Sequence, residues 1–298
     1  MEKIKIVTDS ASDILDSALE EYGIEMLCIS IAVDGVSYHE RQDFTFQEYY
    51  SMLETCKEVP VTSKIPEWKF LDCYKRAYEQ GYTTLIAVTL SGRGSATYES
   101  AVLARNHFYE ENPDAKEKFK IYLVDSRIYT IAVGHPVTQA GKMAKEGKSS
   151  QEILDYLADW FDTVEVILSV YTLRFLKKSG RVSGASAFVG EALGVRPVLS
   201  VIEGKTETLD KPRGDKNVVP TVFNLFKKNC VDYSAPVLIL YGADKQCAEE
   251  LADLLEKEIG RRPPMFMAGG AIVTNTGPKP IAVVYRGKAR GISATLTN

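Results

Sequence analysis

The sequence predicts an α/β protein of two domains: an N-terminal domain with a mostly parallel sheet, and a C-terminal α+β domain with a mixed or antiparallel sheet. Three observations predict it. In the first half, β-rich runs alternate with helical apolar periods, the pattern of a parallel sheet with helices packed on it. In the second half, hairpin signals mix with helical stretches, which points to antiparallel pairing. The chain has 298 residues, 45% of them hydrophobic, enough for one large core or two smaller ones. The expected domains are 1–160 and 161–298, with the changeover within Glu146–Glu165.

Taken in order, Ile4–Thr8 is β-rich and leads into a helical Ile14–Tyr22, with Gly23 as its stop. Ile29–Val33 and Val36–Tyr38 flank Asp34-Gly35, a hairpin signal. Phe46–Cys56 has a helical period, Pro60–Pro66 reads as a proline-bounded loop, and Glu67–Gln80 as a helix closed by Gly81. Thr84–Val88 is a second strong strand, followed by a Gly/Ser loop and a helix from about Thr97 to Tyr109. Lys120–Val124 is a third, passing through Asp125-Ser126 into a helical Ile128–Lys145.

Beyond the changeover, Val164–Val170 reads as a strand and Thr172–Leu193 as a basic, glycine-interrupted helical region. Val198–Ile202 and Thr206–Leu209 flank Glu203-Gly204-Lys205, a second hairpin. Val219–Lys228 is helical, Val237–Tyr241 a strand and Ala248–Ile259 an amphipathic helix. Ala271–Val273 and Ile281–Tyr285 are expected as the closing strands, around Asn275-Thr276-Gly277-Pro278.

A net charge of -4 argues against nucleic-acid or bilayer-surface binding. The five cysteines include no C-x-x-C pair, and their odd number fits a reduced compartment. No signal-peptide pattern opens the chain and no apolar stretch is long enough to span a membrane, so a cytoplasmic protein is expected.

Three strands end alike, in Thr8-Asp9-Ser10, Thr89-Leu90-Ser91 and Val124-Asp125-Ser126. Ligands of open α/β sheets bind outside such carboxyl ends. The Ser91–Thr97 loop, Ser-Gly-Arg-Gly-Ser-Ala-Thr, precedes a helix whose first N–H groups favour an anion, and its two glycines let a ligand approach the backbone. Thr97 stands where a dinucleotide fingerprint needs its third glycine, and no Gly-Lys-Ser/Thr follows, so neither nucleotide motif is present. Serine hydroxyls with helix N–H groups suit a carboxylate; the plainer alternative is an ordinary helix cap.

Thr62 and Ser63 lie on the loop stiffened by Pro60 and Pro66, either holding a donor in fixed geometry or leading into the next helix. Asp9, Ser10, Ser12 and Asp13 offer only two carboxylates for a cation, and helix capping explains them as well. A run of basic residues from Arg174 through Arg181 to Lys216 is either a solvated face or a docking surface for an acidic or phosphorylated partner. His39, His107 and His135 show no metal spacing, and no G-x-S-x-G elbow occurs, so no catalytic or metal-ligating set emerges.

Several segments together resemble the DegV family: "VTDSASDI", "PVTSKIP", "SGRGSATYESA", "VDSRIYT", "TLRFLKKSGRVSGASAFVGEALGVRPVLSVIEGK" and "TNTGPKPIAVVY", in the family's order and over about 3–297. The resemblance implies two α/β domains with a long-chain fatty acid such as palmitate or oleate between them, and no other cofactor. It implies a bacterial lipid-binding subunit, without catalysis of its own, that presents the carboxylate to an ATP-dependent fatty acid kinase subunit in the supply of phospholipid synthesis. By motif position the carboxylate-binding residues are Thr62 and Ser95. Ser63, Ser91, Thr97 and Asn275 fall in the headgroup region, and Arg181 faces the partner. No nucleic acid and at most transient membrane contact are implied. The chain departs from the family pattern at Asn275, where relatives carry histidine, and at Arg93, an added cation in the loop. Two other classes stay open: a small-molecule hydrolase or transferase using Asp9, Ser10 and Ser95, and a regulatory carboxylate-binding module without a kinase.

Overall fold

The computed structural model describes residues 2–181, 194–291 and 296–297. The chain divides into two compact units, one of Met1–Ser30, Ser63–Asp162 and Gly291–Asn298, the other of Ile31–Thr62 and Thr163–Arg290. A single cut near 160 is therefore not the whole division. The crossing at Asp162–Thr163 lies close to it, but Ile31–Thr62 goes with the later unit and Gly291–Asn298 with the earlier.

The first unit is built on a five-stranded sheet. In spatial order its strands are Leu296–Thr297, Lys120–Asp125, Thr84–Thr89, Ile4–Asp9 and Glu25–Leu27. The last four run parallel; Leu296–Thr297 is antiparallel at the edge. Thr84–Thr89 is buried at all six positions, as expected of a central strand whose crossover helices cover both faces. The Thr97–Glu111 and Ile131–Lys145 helices follow their strands as expected. The second starts three residues later than its sequence suggests, because Thr130 adopts φ 62° and ψ -151°.

The expected boundary segment is itself a helix, Ser150–Thr163. It buries Ile153, Leu154, Leu157, Trp160 and Phe161 at helical spacing. The Trp160 indole N–H donates to the Ala132 carbonyl at 2.9 Å, and the His135 ring lies 4.9 Å from the Trp160 ring. His135 is thus a packing residue.

The second unit carries a six-stranded mixed sheet, in the order Lys205–Asp210, Val198–Ile202, Val164–Val170, Pro280–Arg286, Leu238–Tyr241, Met265–Met267. All neighbours are antiparallel except the last pair. The Val218–Asn229 and Lys245–Ile259 helices cover it, packing Val222, Phe226, Leu251 and Leu255 against Ile239 and Tyr285. Of the basic Thr172–Leu193 region, Leu173–Ser179 is a helix ended by Gly180 at φ 65°; residues 182–193 lie outside the described residues.

Both hairpins form where expected. Asp34 and Gly35 hold φ of 48° and 87°, and Glu203 and Gly204 hold 50° and 70°, the positive pairs of type I′ hairpin turns. Two expectations fail. Val61–Ser63 is not loop but a strand on the small sheet Val36–His39, Ser30–Val33, Val61–Ser63, where pairing overrides the flanking prolines. Ala271–Val273 is not a strand but part of the Gly270–Thr276 helix. Its β-branched residues imitate a strand, yet the buried Glu40 carboxylate accepts the Ala271 N–H at 2.8 Å. The Tyr50 hydroxyl donates to the Ala268 carbonyl at 3.0 Å just before it. The Thr274 hydroxyl donates to the Gly270 carbonyl at 2.6 Å, so its oxygen accepts from the Tyr49 hydroxyl.

Candidate functional site

At the end of the first strand, Asp9 is fully buried and both its oxygens are engaged. One accepts the Ala11 N–H at 3.1 Å and the other the Leu90 N–H at 2.7 Å, so Asp9 ties its own strand end to the next. The Ser10 hydroxyl oxygen accepts the Ile29 N–H at 3.0 Å. Both residues therefore hold loops in place. Asp13 accepts the Thr130 hydroxyl. Among the described residues, no group of three or more histidine, cysteine or acidic side chains is placed to hold a metal ion.

The next strand end carries the Gly/Ser loop. Ser91 is fully buried; its hydroxyl oxygen accepts the Arg93 N–H at 3.3 Å and its carbonyl accepts the N–H groups of Gly94 and Ser95. Side chains occupy the space beside each of the two glycines. A Cβ on Gly92 would stand 2.9 Å from an Asp125 carboxylate oxygen, and one on Gly94 would collide with the Tyr129 ring. Asp125 accepts the N–H groups of Gly92 and Arg127, each at 3.0 Å, and so fixes the loop from the third strand end. The sequence sets Asp125 at a strand end and carries no signal of this task.

At the head of the Thr97–Glu111 helix, the hydroxyls of Ser95 and Thr97 lie 2.9 Å apart. Ser95 is half-buried and Thr97 fully buried. The Thr97 N–H donates to the Ser95 hydroxyl oxygen at 3.3 Å, and the Ile65 N–H donates to the Thr97 hydroxyl oxygen at 3.2 Å. That last bond brings the segment after Ser63 to the head of the helix, a link that only a backbone donor makes and no sequence pattern signals. Among the described residues of this unit, the buried hydroxyl oxygens of Thr8, Ser12, Thr89 and Ser100 have no hydrogen-bond partner.

Ser63 is exposed on the first unit, and Thr62, half-buried, is the last residue of the Ile31–Thr62 segment of the second. Asn275, also of the second unit, is half-buried and donates its amide to the Ala271 carbonyl at 2.7 Å. Arg181 is exposed and its guanidinium donates to the Ser179 carbonyl at 2.7 Å. Of the basic run, Arg196 pairs with Asp215 at 2.7 Å and Arg174 reaches the Lys57 carbonyl. The structure thus brings Ser91, Ser95 and Thr97 into one hydrogen-bonded loop and helix head. Chemically this array supplies hydroxyl groups at a helix start, a setting for an anion.

A family model described as uncharacterised protein, DegV family, matches residues 3–288. The chain belongs to the DegV family. A DegV domain-containing protein of Caldanaerobacter subterraneus subsp. tengcongensis is 31% identical over 290 residues, covering 97% of this chain and 100% of that one. The crystal structure of a fatty acid binding DegV family protein from Streptococcus agalactiae matches with a TM-score of 0.85 at 26% identity, covering 97% of this chain and 100% of the other. That of a fat acid (stearic acid)-binding protein from Eubacterium ventriosum matches at 0.83 and 25% identity, covering 96% and 98%. The α/β class with a largely parallel first sheet and a mixed second one is the DegV fold.

Proposed function

We propose that this DegV protein binds a long-chain fatty acid, palmitate or oleate in kind. Thr62 and Ser95 take its carboxylate, and the headgroup is presented to a separate ATP-dependent kinase subunit that converts it to an acyl-phosphate. Ser63, Ser91, Thr97 and Asn275 complete the headgroup region, and Arg181 faces the kinase or the new phosphate. The protein acts as a binding subunit with no catalysis of its own.

The observation that carries the reading is the half-buried Ser95 hydroxyl at a helix head, in a chain whose relatives are described as fatty acid binding. A carboxylate leaving water needs such donors, because an unpaired buried charge is costly. A cytoplasmic setting agrees with five free cysteines. Among the described residues no helix is long and apolar enough to cross a membrane.

Mass spectrometry of lipid extracted from the purified protein tests the binding. A long-chain fatty acid is the expected find; a lipid-free protein that also takes up neither palmitate nor oleate refutes the reading. The kinase step is tested with a candidate kinase subunit, ATP and hydroxylamine, which traps an acyl-phosphate as its hydroxamate. Hydroxamate formed only when both proteins are present supports it; none, with fatty acid bound, leaves a carboxylate-binding module.

A further inference from the structure

The Ser95–Thr97 pair carries a directional consequence. The Thr97 oxygen already accepts the Ile65 N–H, and the Ser95 oxygen already accepts the Thr97 N–H. Between the two hydroxyls, 2.9 Å apart, one proton is donated and the other is left over. If Ser95 donated, the leftover proton would sit on Thr97, fully buried, where an unused donor costs free energy. If Thr97 donates, the leftover proton sits on Ser95, half-buried and able to reach a ligand. The second arrangement is favoured before any ligand arrives.

We propose that Thr97 is the positioning residue of the site, part of a relay from the Ile65 N–H through the Thr97 hydroxyl to the Ser95 hydroxyl, which points the Ser95 proton outward as a ready donor to the ligand's carboxylate. This rests on the fatty-acid reading above and assigns Thr97 a task other than touching the ligand. Each bond of the chain polarises the next, so Ser95 is a stronger donor than an isolated serine. Fixing the donor beforehand also spares the carboxylate the cost of orienting it.

The test is oleate labelled at its carboxyl carbon, followed by affinity and by NMR titration of the bound carboxyl. Thr97→Val keeps the shape and removes the hydroxyl; about a tenfold loss of affinity is expected, with the bound carboxyl titrating at higher pH. Thr97→Ser restores the hydroxyl and is expected to return both readouts to wild type. Should valine fail to fold at this buried position, Thr97→Ala carries the same expectation. Wild-type affinity and an unshifted carboxyl titration in Thr97→Val overturn the relay while leaving fatty-acid binding intact. Equal losses in the valine and serine variants also overturn it, since packing alone would then explain them. A wild-type protein that binds no oleate removes the fatty-acid reading, and the relay with it.

Discussion

Thr130 donates its hydroxyl to the Asp13 carboxylate, and both residues hold positive φ, 62° and 51°. Asp13 sits in the left-handed region that aspartate tolerates. Thr130, with ψ -151°, occupies a region open almost only to glycine, at a cost of about 1–3 kcal/mol. The hydrogen bond, together with the Thr130 N–H donated to the Ala11 carbonyl at 2.9 Å, holds it there. Removing the hydroxyl separates the two contributions. Thr130→Ala loses the bond and keeps the strain, whereas Thr130→Gly loses the bond and relieves it. Glycine is expected to be the more stable variant by about 1 kcal/mol in urea unfolding, and the opposite order would show an unstrained backbone.

The Ile131–Lys145 helix packs onto the turn after the first strand so closely that a Cβ on Gly134 would collide with the Ser12 carbonyl. Gly134→Ala gains helix propensity but must move backbone, so a net loss of about 1–3 kcal/mol is expected from thermal or urea unfolding. An alanine variant as stable as wild type would mean that the turn yields freely.

Ser95→Ala removes the proposed donor to the carboxylate. Loss of a hydrogen bond to a charged group is worth roughly 1.5–3 kcal/mol, so fatty-acid affinity is expected to fall at least about tenfold. Calorimetric titration with oleate checks it, and unchanged affinity takes Ser95 out of the site. Thr62→Ala tests its proposed partner in the same way.

Glu152 accepts from the Ser149 N–H and hydroxyl and from Lys148, each at 2.9 Å. The Ser149 N–H first, then Lys148 and the Ser149 hydroxyl, push its carboxyl down to about 2 from 4.5. A folded pKa below the unfolded one adds stability above pH 4.5 that is lost as pH falls through about 2. In acid unfolding over that window, Glu152→Gln is expected to give a flatter stability profile than wild type. Parallel profiles would show that the cap adds nothing.

Where the signal was local, the sequence disclosed the structure. Asp34-Gly35 declares its hairpin because few residue pairs accept two successive positive φ angles, and at Glu203-Gly204 the glycine carries the signal. The Ser150–Thr163 helix was also legible, in Ile153, Leu154, Leu157 and Trp160, though expected as a boundary. The Gly270–Thr276 helix was not, since Glu40 and Tyr49, which secure it, lie more than 200 residues away. Strand Glu25–Leu27 is short, and only its pairing with Ile4–Asp9 defines it. At the site, hydroxyls at strand ends pointed to Ser91 and Ser95. The Ile65 N–H, Asp125 and Tyr129, which hold them, act through backbone bonds and steric fit that carry no motif.

The partnership of Glu40 with Ala271 also sets a timetable. Made from its N-terminus at roughly 5–20 residues per second, the chain exposes the Glu40 carboxylate for tens of seconds before its donor exists. Until Thr163 is made, Ile31–Thr62 has nothing of its own unit's later part to fold against. The bonds of Glu40, Tyr49 and Tyr50 must therefore wait until residues 268–274 emerge.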